Sequence, residues 1–292
     1  MSFPQLVPPH CAINQNLGSL HERDFYTPFE SRSGVYELIN QLNAYYGNTL
    51  LGHEKAMAFL GRFHIDDQDL LQEFSVGFSD RTLGKQLPAS DTVEGELLRG
   101  KLQRMGFFTA FGGESLRGCL TFPFKDNKGD IVEIYGERFT RWLRFGTPNE
   151  VIWSLENGGL FNSEAILSYK EIILCATPLE ALMFVRAGFH NVVATMGSRG
   201  FTVEQLDDLV CAGVARVLIA FESAPKADQS SYLVSQALNE SGIECLKVAF
   251  PAGCGARDLV PSRGLDMLRF VIQGARPCCQ SYEAIRSSSY DD

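Results

Sequence analysis

Two arginines flank the segment of this chain best suited to chemistry. Arg117 precedes an alternating run, Leu120, Phe122 and Phe124; Asp126-Asn127-Lys128-Gly129 then supplies a turn, and Ile131 to Tyr135 alternates again ahead of Arg138. Period-two patterning on both sides of such a turn predicts a β-hairpin. Two guanidinium groups on adjacent strands make a fork that suits phosphate oxygens. Arg117 and Arg138, with Lys125 and Lys128 beside the turn, are therefore candidate nucleic-acid contacts. Turn geometry alone accounts for Phe122-Pro123 and the glycines. The eight cysteines add no second chemistry, because the only close pair, Cys278-Cys279, is vicinal rather than spaced like a zinc knuckle. Buried or idle thiols are expected, and no zinc.

The elements that must hold this hairpin can be read from periodicity. Residues 1–34, with Pro4, Pro8, Pro9 and Pro28, read as an irregular arm. Val35, Leu38, Ile39, Leu42 and Tyr45 fall on one helical stripe, and Lys55 to Phe63 continues in helical style. Asp66-Asp67 offers an N-cap for a short helix through Leu70, Leu71 and Phe74, and Leu97 to Met105 reads as a helix stopped by Gly106. With the hairpin these make an α+β domain over 35–150. After Gly158-Gly159, short apolar runs at Ile172–Cys175, Val192–Thr195, Val217–Phe221 and Leu246–Phe250 alternate with helical stretches at Pro178–Ala187, Val203–Val210 and Asp228–Leu238. That order predicts an α/β domain over 151–275 with a parallel central sheet flanked by helices. Residues 276–292, Ser-rich and acidic at the end, read as a flexible tail.

Charge bounds the partners. A net charge of −9 argues against holding nucleic acid mainly by phosphate neutralisation, yet between Arg81 and Arg144 eleven Lys/Arg stand against eight Asp/Glu. One weakly basic face on an acidic body fits this distribution, as does a balanced solvated surface. No run approaches the roughly 18 apolar residues of a membrane span, and Met-Ser-Phe-Pro is no signal peptide, so a cytoplasmic protein without a membrane partner is expected.

The order of motifs resembles the catalytic core of bacterial DnaG-type DNA primases. Leu42–Leu51, Ala56–Leu60 and Phe63–Ile65 are similar to the helical entry of that core. Leu71–Phe78 is similar to its next segment, and Leu116-Arg-Gly-Cys-Leu-Thr-Phe-Pro-Phe124 with Gly129 and Gly136-Glu-Arg138 resembles its hairpin. Gly159-Leu-Phe-Asn162 then leads into the strand–helix order of a TOPRIM domain. The family holds template and nucleotide with basic residues on the hairpin. Here Cys119 stands where it has a second arginine, and Ser115 where it often has another, so the resemblance implies a weakened template grip.

The TOPRIM resemblance also implies a metal site, because phosphoryl transfer develops charge that carboxylate-bound Mg2+ neutralises. The family's first motif, Glu-Gly-x-x-Asp/Glu-Ala, reads Ala176-Thr-Pro-Leu-Glu180-Ala181; its Asp-x-Asp reads Glu222-Ser223-Ala224. Ala176 and Ala224 thus occupy lost ligand positions, and Glu222 is the one carboxylate kept. Glu180 and Asp228 lie about a helical turn from the strand ends, where capping is the commoner role. Ala194–Ser198, Phe250–Gly253 and Arg257-Asp258-Leu259 match further TOPRIM features. Glu222, Glu180 and Asp258 are weak candidate ligands, and no metal is expected unless the chain is active with Mg2+ or Mn2+.

Three functions follow. The first is a primase-derived protein that binds single-stranded DNA or RNA, or a nucleic-acid-processing partner, in replication, recombination or a mobile element, without primer synthesis. The second is an active primase with a rearranged metal site. The third is a pure protein-interaction module.

Overall fold

The computed structural model describes residues 32–126, 128–140, 143–155 and 159–278. Residues 1–31 of the expected N-terminal arm and 279–292 of the expected tail lie outside the described residues, and residues 32–34, assigned from sequence to the arm, open a helix. Two compact units divide the chain. One takes in the described residues up to Gly61 with Asp66–Gly158, the other Arg62–Ile65 with everything described from Gly159 onward.

In the first unit a 20-residue helix, α1 (Arg32–Leu51), buries Val35, Ile39, Leu42, Tyr46 and Leu50, a stripe at helical spacing. Two short helices follow, α2 (Glu54–Gly61) and α3 (Gln68–Glu73). Asp67 caps α3 by accepting from the Leu70 N–H at 3.0 Å, as its position ahead of an apolar run predicts. Then come β1 (Gly77–Phe78), α4 (Leu83–Gln86) and α5 (Val93–Arg104), the last opened by a Thr92 cap, with acids in its first turn and bases in its last. The hairpin is real: β2 (Cys119–Lys125) runs antiparallel to β3 (Ile131–Arg138), with Phe122 opposite Tyr135 and Cys119 opposite Arg138. A further strand, β4 (Glu150–Ser154), completes a four-stranded sheet in the order β1-β2-β3-β4. The boundary drawn from sequence between residues 150 and 151 would cut this strand. A five-residue run after Pro148 carries too little pattern to be recognised, and it finds its place only by pairing with β3.

The unit's core joins the α1 stripe to Leu102, Met105 and Phe107, and Phe107 stacks on Trp153 with ring centroids 4.3 Å apart. Every residue of β3 is buried, so alternation in the hairpin marks residue type rather than a wet face. Close approach of α1 to the sheet requires Gly77. A Cβ there would lie 2.6 Å from Tyr46 Cβ and 2.7 Å from Thr121 Oγ1.

The second unit opens with α6 (Glu164–Ser168) and continues β5 (Glu171–Cys175), α7 (Pro178–Arg186), β6 (Val192–Ala194), α8 (Val203–Cys211), β7 (Arg216–Ile219), α9 (Pro225–Glu240) and β8 (Glu244–Lys247). After α10 (Ala256–Arg263) and α11 (Asp266–Gln273), β9 (Arg276–Pro277) closes the order. The sheet runs β6-β5-β7-β8-β9, parallel through β8, with β9 antiparallel at the edge. It is the α/β arrangement expected, with two differences. The fourth strand sits two residues earlier than the apolar run Leu246–Phe250, because β7 offers partners only from Arg216 to Ile219. And Arg276–Pro277, assigned from sequence to the tail, is paired to the sheet.

Candidate functional site

In parallel sheets, ligand sites gather where strands deliver the chain to helices, at the carboxyl ends. Leu174 pairs with Ile219, so Ala176 and Phe221 leave the second sheet from neighbouring strands. At the end of β5 the Ala176 carbonyl accepts the Gly197 N–H at 2.8 Å and the Thr195 hydroxyl at 2.9 Å, tying this exit to that of β6. Thr177 and Glu180 then form a reciprocal capping box on α7. The carboxylate accepts the Thr177 N–H at 3.1 Å, and the Thr177 hydroxyl accepts the Glu180 N–H at 3.5 Å. Arg257 closes the knot. One guanidinium nitrogen donates to the Thr177 hydroxyl at 2.9 Å, and its Nε lies 3.7 Å from a Glu180 oxygen.

The remaining acids are turned to other tasks. Asp258 accepts the Gly255 N–H at 2.9 Å and so caps α10. Asp228 pairs with Lys247 across the α9–β8 contact. Glu222 is exposed at the exit of β7, its Cβ against Gly255, where an added methyl would lie 3.0 Å away. Ser223 fixes that exit, donating its N–H to the Cys254 carbonyl at 2.8 Å and accepting the Gly253 N–H at 2.7 Å. Ala224 is the N-cap residue of α9 and, lacking an oxygen, makes no side-chain cap. Among the described residues no three His, Cys, Asp or Glu side chains gather as a metal group. A divalent cation wants several oxygens around one point. With methyl groups at Ala176 and Ala224, Glu180 and Asp258 capping and Glu222 facing solvent, this donor set does not fit one.

On the hairpin the four basic candidates separate. Arg138 is buried at the end of β3, and its guanidinium donates to the Pro148 carbonyl. Arg117 lies in the turn before β2, not on a strand, and is exposed above Gly113. The two therefore do not form the fork expected from their flanking positions, since only Arg138 sits on a strand and it faces inward. Lys125 is half-buried at the end of β2, and Lys128 is exposed in the turn held by Asp126. Cys119, opposite Arg138, is buried, and burial pushes its thiol up to about 12 against the pull of that guanidinium. It is an inert packing residue.

Two groups escaped sequence reading. Glu114 is buried beneath α1, accepting the Ser79 hydroxyl at 2.6 Å and the Leu83 N–H at 3.0 Å, with the Tyr46 hydroxyl at 3.5 Å. Burial holds its carboxyl above the usual carboxylate range. Nothing around a lone acid between Gly113 and Ser115 announces this. The Arg257 contact joins residues 80 positions apart, although the capping box it locks is legible in Thr177-Pro178-Leu179-Glu180.

No protein-family model matches the chain. A DNA primase of Campylobacter jejuni subsp. jejuni is 27% identical over 227 residues, 70% of this chain, which spans about a third of that relative's length, 35%. The RNA polymerase domain of Mycobacterium tuberculosis primase DnaG superposes with a TM-score of 0.69 at 17% identity, covering 85% of each chain. A DnaG primase catalytic domain solved bound to single-stranded DNA gives a TM-score of 0.66 at 16% identity, covering 88% of this chain and 81% of that one. The chain therefore has the fold of a DnaG-type primase catalytic core.

Proposed function

We propose that the chain is a primase-derived protein that binds single-stranded nucleic acid and makes no primers. The carrying observation is the state of the strand exits. Ala176 and Ala224 supply no side-chain oxygen, Glu180 is locked by Thr177 and Arg257, and Asp258 caps α10. Two-metal phosphoryl transfer demands converging carboxylates, and even losing a group that merely orients a ligand typically costs about 10–100-fold in metal affinity or activity. Binding is supported by the fold shared with a DnaG domain that holds single-stranded DNA, and by the solvent-facing Arg117 and Lys128 with half-buried Lys125. The process served is a replication, recombination or mobile-element reaction in which a strand is held rather than copied.

De novo synthesis on single-stranded DNA with Mg2+ or Mn2+ tests this, beside retention of labelled DNA at low salt. Expected are no product and a weak complex. About three phosphate contacts give a log–log salt slope near −2, at roughly −0.7 per contact for single strands. Arg117→Ala should flatten that slope, whereas Arg138→Ala should act on stability. Robust product that disappears in Glu222→Ala would overturn the reading in favour of an active primase. Failure to retain any DNA or RNA would leave a protein-interaction module.

A further inference from the structure

Two buried thiols of the second unit face each other at the edge of its sheet. β8 and β9 run antiparallel, with Lys247 opposite Arg276 and Leu246 opposite Pro277. Continuing that register by one residue sets Cys278 against Cys245. Both side chains are buried in one core cluster with Val217, Val234 and Leu238, and both are reduced. Directly opposed residues of an antiparallel pair have Cα atoms about 4.5 or 5.5 Å apart. A disulfide spans roughly 4.4–6.8 Å between Cα atoms, so the register alone brings this pair within bridging reach.

Cys278 also differs in kind from buried thiols elsewhere in the chain. Burial pushes the Cys119 thiol up to about 12 and lifts Cys175 well above its ordinary value. Cys278 is buried too, yet its thiol is held below the ordinary value. The Cys245 side chain does most of this by hydrogen bonding to it, Ser235 adds a second hydrogen bond, and the Lys247 ammonium adds its charge. A thiol so placed is more often a thiolate, the form that attacks disulfides, and a second thiol stands in contact to resolve the product. Access comes from the edge of the sheet. β9 has only two residues, both exposed, and such marginal elements open before the core does.

We propose that Cys245 and Cys278 are a redox-active dithiol, a site of reversible disulfide formation by exchange with a low-molecular-weight disulfide of the glutathione class. The Cys278 thiolate attacks one sulfur of the small disulfide. A mixed disulfide forms, and the small thiolate released takes up the proton that Cys278 lost. The Cys245 sulfur, giving up its proton, then attacks the Cys278 sulfur and expels the second small thiol. Two protein thiols are thereby oxidised by two electrons, and one small disulfide is reduced to two thiols. The new bond closes a loop over 245–278 that contains α10 and α11, and it fastens β9 to β8 covalently.

The full chain is incubated with glutathione disulfide, quenched with an alkylating agent and digested for peptide mapping. Expected is a peptide pair joined through Cys245 and Cys278, with the loss of two of the eight thiols and their recovery in dithiothreitol. The oxidised chain should melt roughly 5–10 °C higher, because the cross-link restricts the unfolded chain. That gain should vanish in dithiothreitol and be absent from Cys278→Ala, each variant being compared with its own reduced form. Should Cys278→Ala not fold, the peptide map of the unaltered chain still decides. Cys211 is exposed and Cys254 half-buried, so accessibility alone would favour those two. Oxidation confined to them, a bond from Cys245 to Cys279, or a mixed disulfide at Cys278 that never passes to Cys245 would each overturn the proposal. So would a chain that keeps all eight thiols, or a mapped Cys245–Cys278 bond that leaves melting unchanged.

Discussion

Ala224→Asp should make this protein more stable, although it places a charge beside another. Ala224 has the extended backbone of an N-cap, φ −141° and ψ 151°, Pro225 follows at the first helical position, and no side-chain oxygen reaches the orphan N–H groups of α9. Aspartate at such a site gains roughly 1 kcal/mol from the cap hydrogen bond. The N-terminal helix dipole adds about 0.3–1 kcal/mol. Glu222, exposed two residues upstream, subtracts on the order of 0.2–0.5 kcal/mol, as like-charged neighbours do. The net of about 1 kcal/mol corresponds to a rise in melting temperature of roughly 2–4 °C for a chain of this size. Ala224→Ser serves as the uncharged control and should recover the hydrogen-bond part alone. Differential scanning calorimetry reads both, and the same melts with Mn2+ ask a second question. The aspartate would stand where the primase resemblance places a metal ligand, yet with Ala176 still a methyl and Glu180 locked by Arg257, metal should leave the melting point of the variant where it was. Unchanged or lowered melting in both variants would refute the cap argument. A rise produced by Mn2+ in the aspartate variant and not in the serine one would show that this strand exit still assembles a metal site, through the linkage of binding to stability.

Two further outcomes follow from the first unit. Gly77→Ala forces a methyl against Tyr46 and Thr121 and should cost about 1–3 kcal/mol, read as a lower urea midpoint with an unchanged slope; a neutral result would mean that α1 can move off the sheet. Glu114 has its folded pKa raised above the ordinary 4.5, mainly by burial. Its contribution is therefore fully present below the unfolded value and is lost as pH rises through the folded one. Stability should fall as pH climbs above about 4.5, and Glu114→Gln should remove that part of the slope; an unaltered pH profile in the variant would place the titration elsewhere.

What could be read from sequence divides along physical lines. The β5-to-β8 succession was legible because strands of a covered parallel sheet are short apolar runs, and because caps and glycines punctuate the helices between them. Thr177-Pro178-Leu179-Glu180 and Asp67 are local signals, written within four residues of where they act. β4 and β9 were not legible, since strands of five and two residues owe their existence to a partner, not to their own pattern. The paired arginines illustrate the same limit. Flanking positions placed Arg117 and Arg138 near the hairpin's open end, but whether a guanidinium meets solvent or the Pro148 carbonyl is decided by a loop whose path no periodicity records. Ala176, Ala224 and Glu222 could be located only because the motif order resembled a known core. Their surroundings, Arg257 above all, come from long-range packing.

That guanidinium has a consequence for how the corner beside Ala176 is kept neutral. A dication held by carboxylates comes and goes with its concentration in the surrounding solution. Arg257 is a counter-ion attached to the chain itself, so the charge facing Glu180 has no dissociation constant and no chelator can withdraw it. The corner is fastened by a rivet rather than by a reagent, and its integrity depends on α10 being folded rather than on what the solvent contains.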